Sequence, residues 1–203
     1  MPKNFYQQAK FALSVADLVQ LPSDQGYEVA FAGRSNAGKS TAINAITDIK
    51  GLARSSKTPG RTQMINFFNL DGERRLVDLP GYGYAQVPLP IKRKWQQNLT
   101  QYLHKRESLR GLVLVMDIRH PLKPLDIEMA EWAINAGISL LILLTKADKL
   151  SQRLRNQALK QVAQAFEGSP VDVNIQCFSG IRGLGVDAAR KLLDQWFEFA
   201  DSP

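Results

Sequence analysis

Residues 33–40 read Gly-Arg-Ser-Asn-Ala-Gly-Lys-Ser, a G-x-x-x-x-G-K-[ST] segment whose chemistry is the holding of phosphates. A turn of this kind aims backbone N–H groups at phosphate oxygens, sends a lysine to the outer phosphates and offers a hydroxyl to a magnesium ion. Gly33, Gly38, Lys39 and Ser40 supply those parts, and Arg34, Ser35, Asn36 and Ala37 complete the turn. The run Glu28-Val29-Ala30-Phe31-Ala32 enters it, and a helix-compatible stretch from Lys39 to Asp48 leaves it. That strand–turn–helix setting argues against the competing reading, an ordinary glycine turn capped by Ser40.

Three later segments narrow the nucleotide. Asp78-Leu79-Pro80-Gly81 ends a strand pattern, placing a carboxylate where it can orient magnesium-bound water and a glycine N–H where it can meet a γ-phosphate. Between the two motifs, Thr58-Pro59-Gly60-Arg61-Thr62 is a basic, glycine-containing loop of the kind ordered when a threonine hydroxyl completes the magnesium shell; Thr58 and Thr62 compete for that part. Thr145-Lys146-Ala147-Asp148 is similar to the [NT]-K-x-D base-reading motif. Guanine offers two adjacent donors, its ring N–H and exocyclic amine, which one carboxylate accepts together and which adenine lacks in that arrangement. Lys146 can lay its alkyl stem along the purine. After the last strand pattern, Ser179-Gly180 can offer a backbone N–H to guanine O6.

These segments need a scaffold that brings distant loops to one edge. Strand signals fall near 28–33, 63–70, 73–78, 111–117, 139–145 and 171–177, alternating with helical periodicity, the pattern of a parallel sheet wrapped by helices. Asp71-Gly72 reads as a two-residue hairpin, which makes one edge strand antiparallel in an otherwise parallel sheet. Pro88 and Pro90 open a helix with Ile91, Trp95, Leu99, Tyr102 and Leu103 at helical spacing, and Pro124 opens the next with Leu125, Met129, Trp132 and Ala136 inward. Asp126 and Glu128 fall in its first turns and complement the helix dipole. Residues 151–166 and 184–199 supply two more helices. The expected class is a three-layer α/β fold with a six-stranded, mostly parallel sheet. Residues 1–21 read as an N-terminal arm and 22–203 as one domain.

With 203 residues, 44% hydrophobic, the chain can bury a substantial core but has no room for a second full domain. Its longest aliphatic runs, 112–116 and 140–144, fall far short of the ~20 residues that span a bilayer. The N-terminus lacks the apolar segment and cleavage site of a secretory signal, and Cys177 is the single cysteine, so a reducing cytoplasmic setting is expected. The formal charge is +7, and segments 50–62, 92–110 and 149–160 hold 14 of the 26 Lys and Arg residues against one acid, Glu107. Such clustering favours a polyanion, nucleic acid first and an acidic membrane surface next, over a merely solvated face. His104 and His120 join no set of metal ligands and read as structural or surface residues.

In order and spacing the motifs resemble the Ras-like GTPase domain, a fold of the P-loop NTPase kind. Residues 33–40, Lys57-Thr58-Pro59-Gly60-Arg61-Thr62-Gln63, Asn66-Phe67-Phe68, Asp78-Leu79-Pro80-Gly81-Tyr82-Gly83-Tyr84-Ala85 and Thr145-Lys146-Ala147-Asp148-Lys149 resemble the EngB (YihA/YsxC) family of bacterial GTPases. The resemblance implies GTP and GDP binding with Mg2+, a role in assembly of the large ribosomal subunit, and an association with cell division and septum formation. It also assigns residues. Positions 33–40 hold phosphates, Ser40 and Thr62 ligate magnesium, and Gly60, Arg61, Thr62, Gln63 and Met64 form the switch. Asp78, Leu79, Pro80 and Gly81 sense the γ-phosphate, Thr145, Lys146, Ala147 and Asp148 read guanine, and Phe178, Ser179 and Gly180 close over the base. Lys39, Thr62 and Gly81 carry the hydrolytic step. Ser-Gly-Ile at 179–181 departs from the usual Ser-Ala-Lys.

Two residues bear on turnover. Ras-like enzymes place a glutamine after Asp-x-x-Gly to orient water, and here Tyr82 stands there, which predicts slow intrinsic hydrolysis completed by a partner or an ion. Asn36 matches the position at which related bacterial GTPases hold K+, and it equally suits a tight loop. The competing functions are an ATPase or small-molecule kinase on the same loop and a nucleotide-gated ribosome- or RNA-binding scaffold with negligible turnover. The expected partners are guanine nucleotide and the large subunit or ribosomal RNA, bound by a monomer without stable membrane insertion.

Overall fold

Along Tyr27–Gly33 (β2), Val29 and Phe31 enter one apolar core while Ala30 and Ala32 enter another, and all four are fully buried. A strand buried on both faces must lie between two helical layers. The computed structural model describes residues 4–54, 64–83 and 89–199 and shows that arrangement. The other strands are Lys10–Val15 (β1), Ile65–Asn69 (β3), Arg74–Asp78 (β4), Leu109–Asp117 (β5), Ser139–Thr145 (β6) and Val173–Cys177 (β7). The helices are Lys39–Thr47 (α1), Leu89–Lys105 (α2), Pro124–Asn135 (α3), Gln152–Ala165 (α4) and Val186–Trp196 (α5). One core packs α2, α3 and α4 through Leu99, Tyr102, Met129, Ala133 and Val162. The other packs α1 and α5 through Ile43, Ile46, Ala189 and Leu193.

The strand order is β1-β3-β4-β2-β5-β6-β7. β4, β2, β5, β6 and β7 pair in parallel, whereas β3 is antiparallel to both β4 and β1. The sheet therefore has seven strands rather than six, and the antiparallel strand is not the edge. Residues 10–15, read from sequence as arm, cover it. A break in register between Phe11 and Leu13 disrupts the two-residue alternation, and of β1 only Val15 is buried, so the strand gives little periodic signal. The expected Asp71-Gly72 hairpin is a longer turn. Asp71 Oδ1 accepts from the N–H groups of Glu73 and Arg74 at 2.8 and 2.7 Å, a side-chain turn that replaces a tight backbone one. Ile91 and Trp95 have side chains outside the described set; Leu99, Tyr102 and Leu103 are buried as their spacing predicts.

A buried ionic cluster fixes the sheet end away from the phosphate loop. Glu28, fully buried near the start of β2, accepts from Arg106 Nε and Nη2 at 3.0 and 2.7 Å, Arg75 Nη1 at 2.9 Å and the Tyr102 hydroxyl at 3.0 Å. The last turn of α2 and the residue that follows it are thereby tied to β2 and β4. At the opposite end, the carboxyl termini of the parallel strands meet around the loop that follows β2, where ligands of open α/β sheets bind.

Candidate functional site

The loop leaving β2 is shaped by two left-handed residues, Asn36 (φ 64°) and Gly38 (φ 101°), before α1 begins at Lys39. Glycine takes this conformation without strain, and asparagine tolerates it better than most residues. Ala37 N–H donates to Arg34 O at 3.0 Å and closes the turn. Thr145, buried at the end of β6, holds the loop from below, with its hydroxyl against the carbonyls of Ala37 and of Met116. Gly38 packs on the same threonine.

Lys39 and Asp78 form a nearly buried ion pair, with side chains 11% and 6% exposed. The lysine and the Asp-x-x-Gly carboxylate, 39 residues apart in sequence, thus meet at the mouth of the loop, and Asn66 Nδ2 approaches the other Asp78 oxygen at 3.4 Å. The backbone after Asp78 folds onto the loop. Leu79 N–H donates to Phe31 O at 3.0 Å, Tyr82 N–H to Gly33 O at 3.3 Å, and Ser35 N–H to Tyr82 O at 2.8 Å. Gly81 lies so close that a Cβ there would stand 3.4 Å from Ser35 Oγ. Pro80 is buried.

The base-reading segment follows β6. Lys146, itself left-handed (φ 59°), sends Nζ to Asn36 O at 2.7 Å and Asp117 Oδ2 at 2.9 Å, which pins the ammonium and leaves the side chain about one-third exposed. Ala147 N–H donates to Phe178 O at 3.1 Å, and the Ser179 hydroxyl donates to Asp148 Oδ1 at 2.6 Å. That bond, with Lys149 beside it, holds the Asp148 carboxyl below the usual carboxylate range. Phe178 and Ser179 are buried. Gly180 backs onto α1, where a Cβ would come within 3.0 Å of Thr41 and 3.1 Å of the Ala45 Cβ, a close fit for the glycine that stands where the usual motif has alanine.

Residues 33–40, 78–81, 145–148 and 178–180 are thus gathered at one edge of the sheet. Met64 lies immediately before β3 and is exposed. Gly60, Arg61, Thr62 and Gln63, with the competing Thr58, lie outside the described residues. His104 and His120 are exposed on the surface. The sequence reading passes over Asp117 and Arg119. Arg119 Nε and Nη2 bind Asp117 at 2.9 and 2.6 Å, and Asp117 in turn holds Lys146. An acid closing the aliphatic run of β5, as Asp78 closes β4, was the available signal. Asp126 is also more than a dipole partner: it is 2% exposed and accepts from the Tyr82 hydroxyl at 2.9 Å.

The donor set suits magnesium. Ser40, in the first turn of α1, offers a hard oxygen to the ion and Asp78 offers one to its bound water, and Mg2+ is ordinarily held by one or two protein ligands together with phosphates and water. Among the described residues no group of three or more His, Cys, Asp and Glu side chains is placed to hold a metal alone.

A parallel sheet whose phosphate loop, Asp-x-x-Gly strand end and Lys-x-Asp strand end converge in this way defines a phosphate-loop GTPase domain. The family model described as "50S ribosome-binding GTPase" matches residues 28–146. A probable GTP-binding protein EngB of Pseudoalteromonas atlantica is 58% identical over 195 residues, covering 96% of this chain and 95% of that one. Its Escherichia coli O139:H28 counterpart is 57% identical over 192 residues, covering 95% and 91%. The chain belongs to the EngB family of GTP-binding proteins and hydrolyses GTP. Among solved structures, a probable GTP-binding protein engB aligns with TM-score 0.68 at 21% identity over 84% of this chain and 98% of that one, a likeness of fold. Era in complex with MgGDPNP and a 16S ribosomal RNA fragment aligns with TM-score 0.62 at 18% identity over 88% and 59%. Among the described residues no helix is long and apolar enough to cross a membrane.

Proposed function

We propose that this GTPase is a magnesium-dependent cytoplasmic switch in assembly of the large ribosomal subunit, with a role in cell division and septum formation. The observation that carries the switch is the crossing of residues 79–82 over the phosphate loop, sealed by the Lys39–Asp78 pair. Phosphates compete for Lys39, Ser40 and Thr62 offer oxygens to magnesium and Asp78 orients magnesium-bound water, so nucleotide bears directly on the ion pair that closes over the loop. Magnesium, when bound, neutralises charge on the β- and γ-phosphates. Lys39 adds a second positive charge there, and the Gly81 N–H is the γ-phosphate contact. Residues 145–148 read guanine, with Ser179 fixing Asp148 and the Asp117–Arg119 pair fixing Lys146.

Intrinsic turnover is slow in this reading. Tyr82 is buried, and its hydroxyl is engaged by Asp126 instead of lying at the mouth of the loop, so it does not orient attacking water. Asn36 has a left-handed backbone that accounts for its residue type, and it is also the candidate K+ contact. Hydrolysis compared in potassium and sodium buffers separates these roles: faster hydrolysis in potassium assigns the ion, and equal rates leave the conformational role alone.

The large-subunit partner is supported by the matched family's description and by the basic segments 50–62, 92–110 and 149–160. Cosedimentation with purified large subunits under a non-hydrolysable GTP analogue, GDP and no nucleotide tests the reading. Binding is expected to be strongest with the analogue, and identical binding in all three states contradicts it. Single-turnover GTP decay with and without subunits distinguishes this enzyme from a scaffold with negligible turnover.

A further inference from the structure

The residue after the Asp-x-x-Gly glycine is held twice. Its backbone bridges the phosphate loop, with Tyr82 N–H on Gly33 O at 3.3 Å and Ser35 N–H on Tyr82 O at 2.8 Å. Its side chain runs the other way, into the core under α2 and α3, where the hydroxyl donates to Asp126 Oδ1 at 2.9 Å. Both partners are buried, at 4% and 2% exposure. Burial, and then the neighbouring carboxylate, push the Tyr82 phenol far above its ordinary range, so it stays protonated and is a permanent donor. Arg34, from the phosphate loop, adds positive charge near both groups. Its Nε would stand 3.2 Å from a Cβ on Gly83, so the loop, residues 82–83 and the start of α3 meet around one buried hydrogen bond.

Gly81 lies between the buried Pro80, whose ring restricts its own backbone, and Tyr82, pinned to α3. A glycine has the greatest backbone freedom of any residue, and an N–H that must meet a phosphate oxygen gains from having that freedom removed beforehand. We propose that Asp126 is a positioning residue for the γ-phosphate contact, acting through Tyr82 to hold the Gly81 amide at a set place against the phosphate loop. The inference rests on the reading of Gly81 as that contact. It gives the tyrosine at the usual glutamine position a task, as the pin that sets the adjacent amide. It also makes α3 a part of triphosphate recognition.

The test is calorimetry of GDP and a non-hydrolysable GTP analogue on the full chain, with thermal melting of every variant. Gly81→Ala is the reference and is expected to weaken the analogue more than GDP. Tyr82→Phe and Asp126→Asn are expected to lower the analogue-to-GDP affinity ratio about fivefold, the low end of typical couplings between sites. The double variant Tyr82→Phe/Asp126→Leu removes both polar partners together, which can be nearly neutral for stability, so it should melt near the wild type and still show the lowered ratio. Should Gly81→Ala change the ratio while the double variant keeps the wild-type value, Asp126 serves the fold alone and this inference fails, with the Gly81 reading intact. An unchanged ratio in Gly81→Ala overturns the Gly81 reading and this inference with it.

Discussion

The Ser179 hydroxyl donates to Asp148 Oδ1 at 2.6 Å across 31 residues of sequence, joining the end of β7 to the segment after β6. One carboxylate oxygen is thus oriented from inside the protein, and the group can face a base in one attitude. Charge-assisted hydrogen bonds contribute about 1.5–3 kcal/mol. Ser179→Ala is therefore expected to weaken GDP binding about tenfold, whereas Asp148→Asn abolishes the preference for GDP over ADP. Calorimetry with both nucleotides measures this. The hydrogen bond depresses the Asp148 carboxyl, so the ionised form persists as pH falls through the ordinary range. In Ser179→Ala the acid limb of GDP binding should move to higher pH.

Lys39 and Asp78 neutralise one another in a nearly buried setting. Removing one partner of such a pair strands the other, at a cost of about 3 kcal/mol. Lys39→Ala should lower stability in nucleotide-free denaturant titrations by about that amount, and lose triphosphate binding. Unchanged stability would show that the pair contributes nothing to the nucleotide-free fold.

Glu28 satisfies two arginines and a tyrosine hydroxyl while fully buried. Glu28→Ala leaves the buried Arg106 guanidinium without its main partner and is expected to destabilise by about 3–5 kcal/mol. The cluster lies at the sheet end remote from the phosphate loop, so GTP turnover per folded molecule should stay at the wild-type rate. Urea denaturation paired with active-site titration checks both parts, and loss of turnover in fully folded protein would contradict the separation.

Acid stability should depend on Arg119. Partial burial alone would raise the Asp117 carboxyl, but hydrogen bonds from Arg119 and Lys146 outweigh it and hold the group well below the usual carboxylate range. A carboxylate depressed in the folded state stabilises fully above its unfolded pKa of about 3.9 and loses that contribution as pH falls toward the folded value. Arg119→Ala raises the folded value, so the midpoint of acid unfolding followed by circular dichroism should shift upward. An unmoved midpoint would mean that Lys146 alone sets the group.

Local chemistry made much of this protein legible in its sequence. The spacing of Gly33, Gly38, Lys39 and Ser40, the acid of Asp78-Leu79-Pro80-Gly81 and the Lys146-Ala147-Asp148 triplet depend on residue types a few positions apart, and the aliphatic runs of β5 and β6 need only burial on both faces. What sequence left open were pairings between distant segments. The covering strand β1 is half-exposed and out of register at Phe11, so its place follows from hydrogen bonds to β3. Asp117 gains its part only beside Lys146, Gly180 fits closely against Thr41, and Tyr82 turns into a core where Asp126 receives its hydroxyl. Each of these is decided by what the folded chain brings within about 3 Å, the reach of a hydrogen bond, and no spacing along the chain encodes that distance.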